Sequence, residues 1–232
     1  MSKYLVTGAS SGIGQAIAMR LLERGRSVVG VARSFVHSNM PRGFTPVECD
    51  LAQLDALPEI LKRLTQDHAD LSGLVLCAGT GRFGSLEEFS FAQVRDLIDL
   101  NFTSTALVTR AFLPLLKRRR TGDIVFLGSE AALAGGKRGA VYSASKFALR
   151  GFAQSLRKEC ASDGVRVTLI NPGMTKTAFF DELDFAPGDD AANHVLPADV
   201  AEVVLAVLAM RPGTVVDEVN LSPQKKVIQP RR

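Results

Sequence analysis

Short runs of apolar, β-branched residues recur along the chain and alternate with stretches of helical periodicity. Seven runs predict strands: YLVT from Tyr4, SVVGVA from Ser27, FTPVECD from Phe44, GLVLCA from Gly73, DIVFLG from Asp123, VRVTLI from Val165 and DEVNL from Asp217. Between them, apolar residues such as Ile13, Ile17 and Leu21 stand four positions apart, which places them on one face of a helix. We expect Gly25 to end that first helix and Ser90 to cap a helix that starts at Phe91.

Most of the strand-like runs are apolar along their whole length instead of alternating. Such strands are buried on both faces, as in a parallel sheet that is covered by helices. Strands that alternate with helices through right-handed crossovers predict a doubly wound α/β sandwich of about seven parallel strands, with helices on both faces. The pattern predicts a single domain over residues 1–232. The least regular stretch is 178–199, between a strand and a helix, where this fold usually has a lid over the substrate.

Composition is ordinary for a globular protein, with 46% hydrophobic and 22% charged residues among 232. The net charge of +4 is too small to indicate nucleic-acid binding, although it suits a small polyanionic ligand. The longest apolar helical stretch, VVLAVLAM from Val203, is shorter than the roughly 20 residues of a membrane span. No cationic leader precedes the first strand, so we expect no signal peptide.

Cysteines and histidines do not indicate a metal or disulfide framework. The three cysteines are far apart and form no CxxC pair, which predicts a reducing, cytoplasmic location. The three histidines have no ligand spacing, so we predict no metal site and regard them as surface residues. These six residues are Cys49, Cys77, Cys160, His37, His68 and His194.

A glycine-rich turn, TGASSGIG at 7–14, joins the first predicted strand to the first helix. Gly8, Gly12 and Gly14 have the spacing of a dinucleotide-binding turn, in which backbone amides at the positive end of a helix approach a pyrophosphate. The position between a buried strand and an amphipathic helix is the context that such a turn requires. The sequence therefore predicts a dinucleotide cofactor.

The end of the second strand indicates which dinucleotide is bound. A carboxylate there would accept hydrogen bonds from an adenosine ribose, whereas an arginine would accommodate a 2′-phosphate. This chain has Ala32 followed by Arg33, whose guanidinium can hold a phosphate through two parallel hydrogen bonds. The sequence favours NADP(H) over NAD(H).

Tyr142 and Lys146 stand one helical turn apart and share a face, while Ser129 follows the fifth strand. A neighbouring ammonium and the positive charge of an oxidised nicotinamide would lower the pKa of the phenol. Tyr142 could then protonate a carbonyl oxygen that receives hydride, and Ser129 could donate a hydrogen bond to the same oxygen. These residues predict proton transfer coupled to hydride transfer.

Over nearly its full length the chain resembles the short-chain dehydrogenases/reductases, which have a Rossmann-like fold. The matching motifs are TGASSGIG, CDL at 49–51, CAG at 77–79, LN at 100–101, the serine of GSEAA, YSASK at 142–146 and NPGMTKT at 171–177. The resemblance implies a catalytic tetrad of Asn101, Ser129, Tyr142 and Lys146, in which Asn101 anchors a proton-relaying water. It further implies that the cofactor contacts Gly8, Ser10, Ser11, Gly12, Ile13, Gly14, Arg33, Asp50, Leu51, Ala78, Gly79, Tyr142, Lys146, Pro172, Gly173, Thr175 and Thr177.

The family resemblance also implies a homodimer or homotetramer, with the helices that begin near Phe91 and Val141 packed against their symmetry mates. The chain departs from the pattern in having Cys77 where asparagine is usual, Ser11 where NADP-binding members often have a basic residue, and an unusual C-terminal segment. We expect an oxidoreductase acting on a ketone or aldehyde and the matching alcohol. An NAD(H)-linked alcohol dehydrogenase and a non-catalytic dinucleotide sensor or scaffold are the alternatives.

Overall fold

The computed structural model describes residues 2–35 and 41–231. Within them the strands are β1 (Lys3–Thr7), β2 (Ser27–Ala32), β3 (Phe44–Glu48), β4 (Gly73–Leu76), β5 (Gly122–Leu127), β6 (Val165–Pro172), β7 (Phe185–Pro187), β8 (Glu218–Leu221) and β9 (Ile228–Pro230). The α-helices are α1 (Gly12–Glu23), α2 (Leu57–Asp67), α3 (Phe91–Ile98), α4 (Ser104–Arg119), α5 (Ala140–Glu159) and α6 (Pro197–Leu208).

Seven strands form one parallel sheet in the order β3-β2-β1-β4-β5-β6-β8. Helices α2, α4 and α5 contribute to the hydrophobic core on one face, and α1 and α6 contribute to the core on the other. The predicted α/β sandwich with about seven parallel strands is therefore confirmed. The strand order reverses between β1 and β4, and ligands of open α/β sheets bind at the carboxyl ends of the strands beside such a switch point.

Several helix ends follow the signals in the sequence. Gly25, with φ of +70°, lies directly after the last turn of α1, as predicted. The Ser90 hydroxyl accepts a hydrogen bond from Gln93 N at 3.2 Å and caps α3, also as predicted. Helix α6 begins at Pro197, inside the segment 178–199 that we predicted as irregular, because proline suits the first helical turn.

A second, two-stranded sheet was not predicted from the sequence. Strands β7 and β9 pair antiparallel, with Phe185 opposite Pro230 and Pro187 opposite Ile228. Each strand has only three residues and ends in proline, which leaves no detectable period-2 pattern. This sheet ties the predicted lid segment to the C-terminal segment of the chain.

An ion pair between the buried Asp123 and the half-buried Arg166 lies at the amino end of β5. Arg166 Nε is 2.6 Å from Asp123 Oδ1, and its Nη1 donates to Met210 O at 2.7 Å. Burial raises the pKa of Asp123, and the hydrogen bond and charge of Arg166 oppose that rise. The pair links β5 and β6 to the end of α6.

No helix within residues 2–35 and 41–231 combines the length and the apolar composition of a membrane span. Across the same residues, no cluster of three or more histidine, cysteine or carboxylate side chains could hold a metal. His37 lies outside the described residues. His68 and His194 are half-buried, and His194 Nδ1 lies 3.1 Å from Gly188 O, so their description as surface residues is only partly right.

Candidate active site

The glycine turn lies between β1 and α1 at the carboxyl edge of the sheet. Gly8 and Gly12 have φ of +68° and +54°, values that favour glycine. A methyl group on Gly14 would overlap the carbonyl oxygen of Gly8, so the turn and the first turn of α1 are in close contact. The Ser11 side chain makes no capping hydrogen bond to α1 among the described residues, which leaves the first-turn amides for a ligand. This geometry fits the pyrophosphate of a dinucleotide.

The neighbouring strands end beside this turn. Strand β2 ends at Ala32, as predicted, and the side chain of Arg33 is exposed. Asp50 follows β3, is half-buried, and accepts a hydrogen bond from Ala52 N at 3.0 Å, while Leu51 is buried. The fold thus places Arg33, Asp50 and Leu51 along the edge that we assign to the adenosine end of the cofactor.

A threonine hydroxyl fixes the loop that follows β4. Thr7 Oγ1 accepts hydrogen bonds from Cys77 N at 3.0 Å and from Ala78 N at 3.1 Å. The half-buried Cys77 packs against the apolar core. The brace between β1 and β4 therefore comes from Thr7, in a chain where Cys77 replaces the family's usual asparagine.

Tyr142, Lys146 and Ser129 converge at the carboxyl end of β5. Ser129 follows that strand directly, and the other two residues stand one turn apart in α5. All three are buried, with 8%, 7% and 9% of their surfaces exposed for Tyr142, Lys146 and Ser129. Lys146 Nζ donates to Leu127 O at 3.1 Å and lies 5.9 Å from the centroid of the Tyr142 ring.

Burial controls the protonation of both titrating groups. Burial raises the pKa of Tyr142, and the carboxylate of Glu130 raises it further. The hydrogen bond with Ser129 lowers the pKa and opposes these two effects. Burial lowers the pKa of Lys146 to about 8. Among the protein's own groups, burial therefore has the largest influence on the pKa of Tyr142. The lowering expected from an ammonium together with an oxidised nicotinamide stays a prediction.

Asn101 lies in a π-helical segment, Asp99–Thr103, that interrupts the helical run between α3 and α4. Its Oδ1 accepts from Thr80 N at 2.9 Å, and its Nδ2 donates to Thr80 O at 3.0 Å and to Ser145 Oγ at 3.1 Å. Ser145 Oγ in turn donates to Tyr142 O at 2.7 Å. Asn101 therefore joins the loop after β4 to the helix that holds Tyr142.

A cleft of about 830 Å³ opens beside Tyr142. Its lining includes nine of the predicted site residues: Ile13, Gly79, Ser129, Tyr142, Lys146, Pro172, Gly173, Thr175 and Thr177. The remaining predicted residues lie outside this lining: Gly8, Ser10, Ser11, Gly12, Gly14, Arg33, Asp50, Leu51, Ala78 and Asn101. Most of these belong to the glycine turn and to the edge beyond it, while Asn101 is buried behind the loop after β4.

Sequence reasoning missed several residues of the same cleft. Phe83 and Phe185 line it, as do Ser222, Lys226, Ile228 and Pro230 of the C-terminal segment. Phe179 and Phe180, which lie in the predicted lid segment, line the cleft as well. The signal that could have identified the site was the concentration of phenylalanines in an otherwise irregular segment.

The profile of the family described as short chain dehydrogenase matches residues 3–186. The chain belongs to this family. An uncharacterized oxidoreductase of Staphylococcus epidermidis is 33% identical over 224 residues, which cover 94% of this chain and 96% of the relative.

Two solved dehydrogenase structures superpose closely on the chain. An alcohol dehydrogenase of the archaeon Thermococcus sibiricus, complexed with 5-hydroxy-NADP, is 26% identical with a TM-score of 0.86, covering 98% of this chain and 99% of that one. A serine dehydrogenase complexed with NADP+ is 25% identical with a TM-score of 0.83, covering 95% and 94%. The protein is thus an oxidoreductase of the short-chain type, and structural neighbours bind NADP.

Proposed function

We propose that the protein is an NADP(H)-dependent oxidoreductase that interconverts a ketone or aldehyde and the corresponding alcohol. The observation that carries this proposal is the convergence of Ser129, Tyr142 and Lys146 in one cleft, beside the glycine turn and at the carboxyl end of the sheet. A scaffold that bound a dinucleotide without turnover would not need a phenol, an ammonium and a hydroxyl in one buried cluster.

The residues of the chain transfer a proton to or from the substrate. The nicotinamide cofactor supplies or accepts the hydride. In the reducing direction Tyr142 gives its phenolic proton to the carbonyl oxygen, while the Ser129 hydroxyl donates a hydrogen bond to that same oxygen. The reverse direction returns the alcohol proton to Tyr142. Lys146, held by Leu127 O, keeps a positive charge near the phenolate that forms.

Arg33 and the neighbouring structures support NADP(H). The guanidinium is exposed at the end of β2, where no carboxylate ends the strand. Its exposure leaves its donors accessible to a 2′-phosphate. Asp50 and Leu51 would border the adenine, and 172–177 would contain the contacts to the nicotinamide.

We further propose a homodimer or homotetramer in a reducing, cytoplasmic location. Phe91 at the start of α3 exposes 99% of its surface, and Phe147 on α5 exposes 43%. Exposed aromatic side chains on these two helices support their packing against symmetry mates. Cys49, Cys77 and Cys160 are all free thiols.

Replacing Tyr142 tests the reaction. Tyr142→Phe should lower kcat by about 10²–10⁴-fold, because general acid–base catalysis contributes that much. NADPH binding, followed by fluorescence titration, should persist. Tyr4→Phe, at the other tyrosine of the chain, should retain turnover. Undiminished turnover by Tyr142→Phe would contradict the proposal, and wild-type binding without turnover of any carbonyl or alcohol would favour the sensor.

Replacing Arg33 tests the choice of cofactor. Arg33→Ala should weaken NADPH binding by about 2 kcal/mol, since it removes a charge-assisted contact to phosphate. NADH binding should hardly change. Equal losses for both cofactors would point to the NAD(H)-linked alternative.

A further inference from the structure

Four phenylalanines form an aromatic cluster around the reacting phenol. Phe83 lies 5.1 Å from Tyr142 and 5.0 Å from Phe185, measured between ring centroids. Phe180 lies 5.8 Å from Phe185 and 5.1 Å from Phe179, whose ring is 6.0 Å from Tyr142. These contacts join Tyr142 and the four phenylalanines in a closed ring, and all five side chains line the cleft.

The aromatic cluster (Phe83, Phe179, Phe180 and Phe185) is not simply part of the core. Phe83 and Phe179 belong to a small apolar group around Tyr142, separate from the two cores that flank the sheet. Phe83, Phe179 and Phe185 are only half-buried, so they retain accessible surface in the cleft. Apolar lining with a few fixed polar groups is the usual composition of a small-molecule site. Here the polar groups are Ser129 and Tyr142.

Carboxylates neutralise two of the cations at the rim of the cleft. Lys226 Nζ lies 2.8 Å from Glu130 Oε2, and Arg138 Nη1 lies 3.1 Å from Asp184 Oδ2. An anionic group on a substrate would compete with these carboxylates. Two further lysines line the cleft: Lys137 is exposed to solvent, where its attraction for an anion is weak, and Lys146 donates to Leu127 O at 3.1 Å beside Tyr142, within the proposed proton-transfer site. The charges therefore favour a neutral ligand.

The C-terminal segment supports the aromatic cluster from the other side. Pro230 pairs with Phe185 across the β7–β9 sheet, and Ile228 of the same strand exposes 58% of its surface at the cleft. Arg231 Nη1 donates to Phe180 O at 2.6 Å. Strand β9 thus adds an apolar wall and holds two members of the cluster in position.

We propose that the substrate is a neutral carbonyl compound with an aryl group, held by the aromatic cluster so that its oxygen faces Ser129 and Tyr142. This inference rests on the proposed function and specifies its substrate class. Offset or edge-to-face contacts with Phe83 and Phe185 would orient the aryl ring.

A four-compound comparison tests the substrate class. Acetophenone, butanone, 1-cyclohexylethanone and the anionic benzoylformate would be reduced with NADPH, following nicotinamide absorbance. We expect kcat/KM for acetophenone to exceed those for butanone and benzoylformate by about 100-fold, with 1-cyclohexylethanone between. Equal or greater values for butanone or benzoylformate would overturn the inference.

Two variants test the aromatic contacts. Phe185→Leu and Phe83→Leu should each raise KM for acetophenone about tenfold, while KM for butanone and the Kd of NADPH stay unchanged. Phe152→Leu is the matched control. This substitution also removes edge-to-face ring contacts, those with Phe126 and Phe102, but Phe152 lies outside the cleft lining. Equal losses for both ketones, or the same KM change in Phe152→Leu, would contradict the assignment.

Saturation-transfer NMR separates this inference from the proposed function. With NADPH present, acetophenone should receive saturation from wild-type protein, and less from Phe185→Leu. Acetophenone binding without turnover would retain the aromatic site and reject the oxidoreductase activity. Turnover of other carbonyls without acetophenone binding would retain the oxidoreductase activity and reject the aromatic site.

Discussion

Lys146 is a buried cation whose removal should stabilise the fold while abolishing activity. It exposes 7% of its surface, and burial lowers its pKa from 10.5 to about 8. The folded state therefore holds a proton on this lysine less tightly than the unfolded chain does. Lys146→Met keeps a side chain of similar length and removes the buried charge.

The expected gain in stability follows from the two pKa values. Below pH 8 the folded state carries the full penalty, about 3 kcal/mol for a pKa lowered from 10.5 to about 8. Between pH 8 and 10.5 the unfolded chain binds more protons, so wild-type stability rises with pH and the advantage of the variant declines. At pH 9.5 less than half of the penalty is left, on the order of 1 kcal/mol. Losing the hydrogen bond to Leu127 O costs about 1 kcal/mol, which leaves a net gain near 2 kcal/mol at pH 7.

Urea unfolding of both proteins at pH 7 and 9.5 measures this difference. Lys158→Met, at an exposed lysine of the same helix, is the control and should change stability by less than about 0.5 kcal/mol at either pH. A variant that is less stable than wild type at pH 7, or a difference that does not change with pH, would refute the reasoning. Turnover should fall sharply in Lys146→Met alone.

Two further substitutions test packing and the glycine turn. Arg166→Met removes the ion-pair partner of the buried Asp123 and leaves its hydrogen bond with Tyr4, so it should cost about 3 kcal/mol of unfolding free energy, the low end for breaking a buried pair. Arg157→Met, at an exposed ion pair, should cost less than about 1 kcal/mol in the same urea titration. Similar losses of unfolding free energy in the two variants would show that the burial of Asp123 does not strengthen the contribution of its ion pair. Gly14→Ala forces a methyl group against Gly8 O, so NADPH affinity in a fluorescence titration should fall at least tenfold, an expectation that an unchanged Kd would contradict.

Much of the fold could be predicted because burial on both faces leaves a strong pattern in the sequence. Continuous apolar runs predicted β1, β2, β4 and β5, and the structure pairs them in parallel. Strands β7 and β9 could not be predicted, since their three-residue pairing joins segments distant in sequence. We predicted irregular structure up to residue 199, whereas α6 starts at Pro197. The residues before Pro197 resemble a loop, which hides the start of the helix.

The candidate site could be predicted where local spacing determines geometry. Tyr142 and Lys146 share a helix face by their separation, and Ser129 follows a strand that ends at the same edge. The brace from Thr7 to the loop after β4 depends on strand order, which no local pattern shows. Spacing reveals the ammonium near Tyr142 but not the burial that raises the pKa of the phenol.

The C-terminal strand β9 lines the cleft but is distant in sequence from the proposed reacting groups. The family profile covers residues 3–186, which include Ser129, Tyr142 and Lys146, whereas β9 lies beyond it. Residues of this part of the pocket wall can therefore be replaced without altering Ser129, Tyr142 or Lys146. We therefore expect substitutions in β9 to change which carbonyl compounds are preferred while the proposed proton-transfer residues stay in place, so exchanging this segment is a direct route to changing specificity.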